Sequence, residues 1–148
     1  MNKEDYEIKL ERHDTHNIND NSVNGGLTVI WRDWDKILKN EPKMVYVSSV
    51  NAGEIKGPHI HAKRDSYFSC IHGKVTFVIK SGEEYVEIES DSEKPNLIHV
   101  PKNVASAHIN TSDKISRVLA LADIAWRPND NEMKNVNFED FEWSKFKK

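Results

Sequence analysis

The sequence predicts an all-β protein, a small barrel or jelly roll carrying one short C-terminal helix. Three observations lead there. From residue 44 onward, short runs rich in Val, Ile, Tyr and Phe recur, several of them alternating apolar with polar side chains. Gly, Asn, Asp and Ser stand between these runs, so the connections are turns rather than the long crossovers that a parallel sheet needs. The last dozen residues differ in kind: an acidic stretch followed by a basic one, with aromatics throughout.

Taken in order, residues 6–10 alternate and read as an edge strand. Residues 13–26 are dense in Asn and Asp and read as loop, with His13 and His16 as surface groups. Asn24-Gly25-Gly26 is expected to turn into a strand over 27–31. Residues 32–39 read as one or two helical turns capped by an Asp and ended by Glu41-Pro42. The strand over 44–50 puts Val45 and Val47 on one face, Tyr46 and Ser48 on the other. Asn51-Ala52-Gly53 turns the chain into a His-x-His strand. Residues 67–71 form an apolar run, and His72-Gly73 reads as a hairpin turn into 74–80, where Val75, Phe77 and Ile79 share a face. Ser81-Gly82 turns into 85–89, with Val86 and Ile88 inward; strands over 96–100, 104–110 and 115–123 follow. Asn137 with Asp140 three residues on resembles a capping box, which predicts the helix; Phe138, Phe141, Trp143 and Phe146 then read as packing groups.

Composition narrows the function classes. At 148 residues the chain, 1–148, reads as a single domain large enough to bury a core. A formal charge of −3 with no basic stripe argues against nucleic acid as the main partner. The lone Cys70 cannot form an internal disulfide, fits a reducing compartment, and reads as a small buried hydrophobe. No apolar run approaches a membrane span, so the expected setting is the cytoplasm, with no membrane partner.

Chemistry concentrates between Gly57 and Gly73. On a strand, His59 and His61 project to one side, roughly 6–7 Å apart. Two imidazoles aimed at one space suit a metal, a substrate or water; a solvated sheet edge is the plain alternative. Asp65 has three readings: it orients a histidine, it joins His59, His61 and His108 around a divalent metal such as Zn, Mn, Fe or Ni, or it is a turn residue paired with Arg64 in solvent. The turn sequence Lys63-Arg64-Asp65-Ser66 favours the last.

These residues carry a resemblance. Gly53, His59, His61, Asp65 (where Glu is usual) and Gly73 resemble the first cupin motif, and residues 101–110 resemble half of the second, whose usual histidine position falls on Ser106 and usual glycine on Asn103. Within the cupins the chain is most similar to the nucleotide-sugar group, the dTDP-4-dehydrorhamnose 3,5-epimerase-related proteins and the dTDP-sugar 3,4-ketoisomerases. The likeness runs through Gly25-Gly26-Leu27, Val45-Tyr46-Val47-Ser48, the His-x-His strand, residues 101–112 and Trp126-Arg127-Pro128. The epimerases' late-strand tyrosine would fall near Ala120, and no tyrosine follows Tyr85. That shifts weight towards a ketoisomerase or a one-centre epimerase.

The resemblance implies an isomerase acting without cofactor on a nucleotide-linked 4-keto-6-deoxyhexose, with dTDP as the expected nucleotide, in deoxysugar or surface-polysaccharide biosynthesis. It also implies a homodimer with strand exchange at the N-terminus, for which residues 27–31 could serve. A base removes the proton next to the ketone, and the enediolate is reprotonated elsewhere. His59 is the expected base, since imidazole titrates near neutrality. His61, Lys63 and His108 are candidates for the donor to the enediolate oxygen, and Tyr46 either returns the proton or packs. Arg64 and Arg117 could meet a diphosphate, and Tyr67 and Trp126 could stack a sugar or base; each could equally be a surface or core group. A metal-dependent cupin using His59, His61, Asp65 and His108, and a non-catalytic sugar-nucleotide-binding cupin, are the two competing readings.

Overall fold

In the computed structural model, residues 2–147 are described. The strands are β1 (Glu7–Lys9), β2 (Arg12–His16), β3 (Val23–Thr28), β4 (Met44–Val50), β5 (Ile55–His61), β6 (Ser66–His72), β7 (Lys74–Ser81), β8 (Glu84–Asp91), β9 (Asn96–Val100), β10 (Ser106–Ile109), β11 (Ser116–Ala122) and β12 (Met133–Asn135). They form two five-stranded antiparallel sheets, in the orders β1-β9-β6-β11-β4 and β12-β5-β10-β7-β8, together with a separate β2-β3 ribbon. The all-β jelly-roll expectation holds.

Period-two alternation explains the core. Val75, Phe77 and Ile79 on β7, with Val86 and Ile88 on β8, face Phe68, Cys70, Ile98, Val118 and Ala120 of the other sheet. The outer faces are covered as well. Tyr67, Leu97 and Leu121 lie under Ile30, Trp31, Ile37 and Leu38, while Val78 and Ala107 lie under Phe138 and its aromatic neighbours. That is why residues 67–71 read as one apolar run: through Cys70 both faces of β6 are buried, and Ile71 and His72 emerge at its end.

Several local expectations are corrected. The 13–26 tract is not a loop but the β2-β3 ribbon, with His13 opposite Leu27 and Thr15 opposite Gly25. Asn24-Gly25-Gly26 lies inside β3, and the turn sits at 17–22, where Asn17 and Asp20 side chains accept backbone N–H groups. The strand expected over 27–31 ends at Thr28. Residues 32–39 form no helix: Arg32 pairs with Asp35 across one turn, and the chain then lays Ile37 and Leu38 onto the first sheet. Burial of those two side chains outweighs the weak helical preference of so short a segment.

His72-Gly73 does turn, with Gly73 at φ +76°, but it is a crossing between sheets: β6 pairs with β9 and β11, β7 with β8 and β10. The expected capping box at Asn137 does not form; the tail contains a single 3-10 turn, Trp143–Phe146. Its aromatics are packing groups as expected, with Phe138 and Phe141 about Tyr85 at 5.0 and 5.1 Å between ring centres. Among the described residues, no helix is long and apolar enough to cross a membrane.

Candidate functional site

Between the two sheets lies a cavity of about 200 Å³. One wall comes from the second sheet: Lys56, His59 and His61 of β5, Ser106 and His108 of β10, Met133 of β12. The opposite wall comes from the first: Tyr46 and Ser48 of β4, Phe68 of β6, Val118 and Ala120 of β11. Arg64, in the turn from β5 to β6, closes the space between them.

A backbone irregularity sets the polar wall. Between Ser106 opposite His59 and His108 opposite Lys56, the register of β5 and β10 shifts, so three steps along β5 match two along β10. Strict alternation would send Lys56 and His59 to opposite faces; the bulge brings both to the cavity. Gly57 supplies it. Its φ is +89°, and a Cβ there would sit 2.9 Å from the Ser106 carbonyl oxygen. Gly57→Ala is therefore expected to destabilise the protein by more than about 1 kcal/mol and to displace His59, read as a lowered thermal midpoint together with weakened ligand binding.

The two histidines stand edge to face, ring centres 5.3 Å apart. His61 is held by Glu132, which is only 4% exposed: His61 Nδ1 lies 2.7 Å from Glu132 Oε1. The other carboxylate oxygen accepts the backbone N–H groups of Lys63 and Arg64, each at 3.2 Å, and Arg64 Nε lies 3.7 Å from Oε1. Burial alone would raise the Glu132 carboxyl, but the His61 and Lys63 hydrogen bonds and the nearby positive charges outweigh it and hold it below the usual range. An ionised carboxylate only accepts, so Nδ1 of His61 carries the proton and, in the neutral ring, Nε2 keeps its lone pair.

Three other rings of the cavity, those of His59, His108 and Tyr46, are held towards their neutral forms. Burial, with the charges of His61 and Arg64, pushes His59 below the ordinary imidazole value. Burial, then His59 and Lys56, pushes His108 down to about 4. Burial raises Tyr46, against the opposing charge of Arg64. Lys56 Nζ donates to Ser48 Oγ at 2.6 Å, joining β5 to β4 across the gap between the sheets.

The sequence profile of the family described as FdtA: WxcM-like, C-terminal, matches residues 8–142. The chain belongs to this family. No curated protein matches the sequence. Among solved structures, QdtA, described as a sugar 3,4-ketoisomerase from Thermoanaerobacterium thermosaccharolyticum in complex with TDP, is 21% identical, with a TM-score of 0.68 over 90% of this chain and 88% of its own. ChmJ, a 3'-monoepimerase from Streptomyces bikiniensis in complex with dTDP-quinovose, is 16% identical, with a TM-score of 0.73 over 90% of this chain and 70% of its own. The capsular polysaccharide assembling protein CapF from Staphylococcus aureus matches 66% of this chain at 18% identity and a TM-score of 0.61; the chain spans only 29% of that longer protein. These likenesses confirm the cupin-type fold.

In this FdtA-family chain the cavity gathers Tyr46, His59, His61, Arg64 and His108 of the expected residues. Four others lie elsewhere. Tyr67 is on the outer face of the first sheet, where its hydroxyl accepts the Lys39 N–H at 2.9 Å. Arg117 alternates with cavity-facing Val118 and so points outward, exposed. Trp126 is 63% exposed. Lys63 is exposed and meets the site only through its backbone N–H.

Asp65 is neither a solvated turn residue nor a partner of the cavity histidines. It is buried, and its Oδ1 lies 3.0 Å from Nε2 of His99, a residue to which the sequence assigned no role. The Asp65 N–H donates to Asp123 Oδ1 at 2.9 Å. Arg64 is buried with Glu132 rather than paired with Asp65 in solvent. The physical reason is the crossing between sheets at 62–65: Arg64 lines the cavity, and Asp65 turns to the other side. The four-residue metal set is thus not assembled. With Asp65 committed to His99 and His61 Nδ1 to Glu132, no three His, Cys, Asp or Glu among the described residues are grouped to hold an ion.

Sequence reasoning missed Ser48, Lys56, Phe68, Ser106, Val118, Ala120 and Met133 as cavity residues, and Glu132 behind His61. Ser48 was legible as a same-face neighbour of Tyr46. Lys56 was hidden by the bulge. Glu132 had no signal: it is one polar residue in a polar stretch, delivered only because Met133 pairs opposite His61.

Proposed function

We propose that the chain is an isomerase of a nucleotide-linked 4-keto-6-deoxyhexose, acting by proton abstraction next to the ketone. The observation that carries this reading is the buried His61–Glu132 pair opening into a cavity between two sheets. Family membership, and neighbours whose descriptions name TDP and dTDP-quinovose complexes, support the substrate class.

The geometry favours His61 over His59 as the base, because the ionised carboxylate at Nδ1 fixes the ring and the tautomer that leaves Nε2 with a free lone pair. The C–H electron pair becomes the carbon–carbon double bond of the enediolate, and the former carbonyl oxygen carries the negative charge. Tyr46, a neutral phenol on the opposite wall, is the group we assign to returning a proton from the other side of the ring. His59, beside His61, contacts the sugar. At about 200 Å³ the cavity falls below the roughly 300–1,000 Å³ of pockets for drug-sized ligands, so it takes the sugar ring and leaves the nucleotide outside. Lys56, a cation in the β5 wall, is the group we assign to the diphosphate.

A homodimer, as the resemblance implies, has apolar surface available on β4, where Val45 and Val47 are 59% and 52% exposed. A cytoplasmic role in making deoxysugars or surface polysaccharide completes the proposal.

Incubating the protein with dTDP-4-keto-6-deoxyglucose in D₂O is expected to place deuterium next to the ketone, read by NMR. A folded protein that exchanges nothing sinks the reading; tight binding without exchange would favour a non-catalytic sugar-nucleotide binder instead.

A further inference from the structure

His108 is the cavity group that the proton transfer just described leaves without a task, and its surroundings are unusual for a polar side chain. It stands on β10 two residues beyond Ser106, on the same face, in the wall that also holds His59. Its ring packs against Phe77, 4.9 Å between centres, and near Phe68 at 6.3 Å. Only 8% of the residue is exposed. Its Nε2 is enclosed and has no hydrogen-bond partner among the described residues. A buried polar atom left unpaired costs about 1–3 kcal/mol, and between two phenyl rings an apolar side chain would fill the space without that cost. A buried group left unpaired calls for an explanation, and in the wall of a cavity a bound ligand supplies one. Held neutral by burial, the ring carries one N–H and one lone pair.

We propose that His108 is a catalytic residue: its neutral ring donates an N–H to the ketone oxygen of the bound sugar and stabilises that oxygen as the enediolate forms. The inference rests on the isomerase reading above. No proton leaves His108 in the step. The base takes the carbon-bound proton, the carbonyl electron pair moves onto oxygen, and the imidazole N–H bonds that oxygen more strongly as its charge grows. A neutral donor suits the task because it needs no counter-ion inside an apolar setting and is fixed before the reaction begins, the condition under which one such donor is worth about 10²–10³-fold in rate. The same feature names what the site recognises: a carbonyl or enolate oxygen placed at His108, near Phe68, in the cavity that also holds the base.

The test compares wild type with His108→Phe and His108→Leu, which keep the packing and remove the N–H, and with His108→Asn, which restores a donor. Deuterium exchange into dTDP-4-keto-6-deoxyglucose is expected to slow about 100-fold or more in whichever apolar variant folds, with partial recovery in the asparagine variant. The thermal midpoint of the apolar variants should stay level or rise, because an unpaired buried nitrogen is gone; a merely structural histidine would give a fall. In the wild type, ¹⁵N NMR should show a His108 ring nitrogen shifting when the ketosugar nucleotide is added. Wild-type exchange in an apolar variant, or an unmoved His108 resonance in a protein that turns the sugar over, overturns the role of His108 and leaves the isomerase reading standing. No exchange by the wild type overturns both.

Discussion

Replacing His61 with asparagine is expected to lower kcat by about 10²–10⁴-fold, the range that a positioned general base contributes, while the protein stays folded. His59→Asn should lose less in kcat and more in KM. The two histidines share a strand face and differ in what lies behind them. His61 is backed by a carboxylate 2.7 Å from Nδ1, whereas burial and the charges of His61 and Arg64 make His59 a weaker base than ordinary imidazole. A base needs a free lone pair aimed at the substrate, and of the two histidines only His61 has a carboxylate behind it to fix that tautomer. Steady-state kinetics and D₂O exchange on both variants decide the assignment. A His59 variant that is dead beside an active His61 variant would reverse it.

Glu132→Ala is expected to cost about 3–5 kcal/mol of stability, the penalty for removing one partner of a buried ion pair. The loss leaves Arg64 buried and uncompensated, and it frees the Lys63 and Arg64 amides together with His61 Nδ1. Glu132→Gln, which keeps the shape and one acceptor, should lose less. A pH dependence accompanies the effect. The folded carboxyl titrates below its unfolded counterpart, so its contribution is fully present above the ordinary glutamate value near 4.5 and fades as pH falls through the lower folded value. Denaturant unfolding followed from pH 7 down to pH 3 should show a steeper acid decline in wild type than in the alanine variant. Equal slopes would mean that Glu132 is not held as an ionised partner.

How much of this was legible in the sequence depended on what fixed each element. Where a strand buries one face in the core, as with Val75, Phe77 and Ile79 or Val86 and Ile88, the two-residue period was plain. Where tertiary contacts overrode local preference it was not. Residues 32–39 look helical by capping and composition, yet they lie flat because Ile37 and Leu38 are needed as a cover for the first sheet. The tail has the charge order of a helix, but its aromatics pack around Tyr85 and against one another in a way that a continuous helix does not reproduce. In the ribbon, β2 and β3 pair with each other rather than with either five-stranded sheet, so no apolar pattern marks them.

The site divides along the same line. His59, His61 and Tyr46 followed from alternation alone. Arg64 and Asp65 were adjacent in sequence and were read together, but the crossing between sheets sends them to opposite sides, one to the cavity and the other to His99. Lys56 required a bulge that only Gly57 in its left-handed conformation reveals. Glu132 required knowing which strand adds to the edge of β5.

That last pairing has a consequence for how the site comes into being. His61 and Glu132 are 71 residues apart, no local turn draws them together, and the chain between them supplies β6 through β11. Closing so long a loop carries an entropic cost that only the finished sheets repay. β5 itself pairs only with β10 and β12, so neither the histidine wall nor the anion behind it is held by contacts local in sequence. Assembly of the reactive pair is therefore tied to completion of the fold, and a partly folded chain exposes imidazoles without the means to activate either.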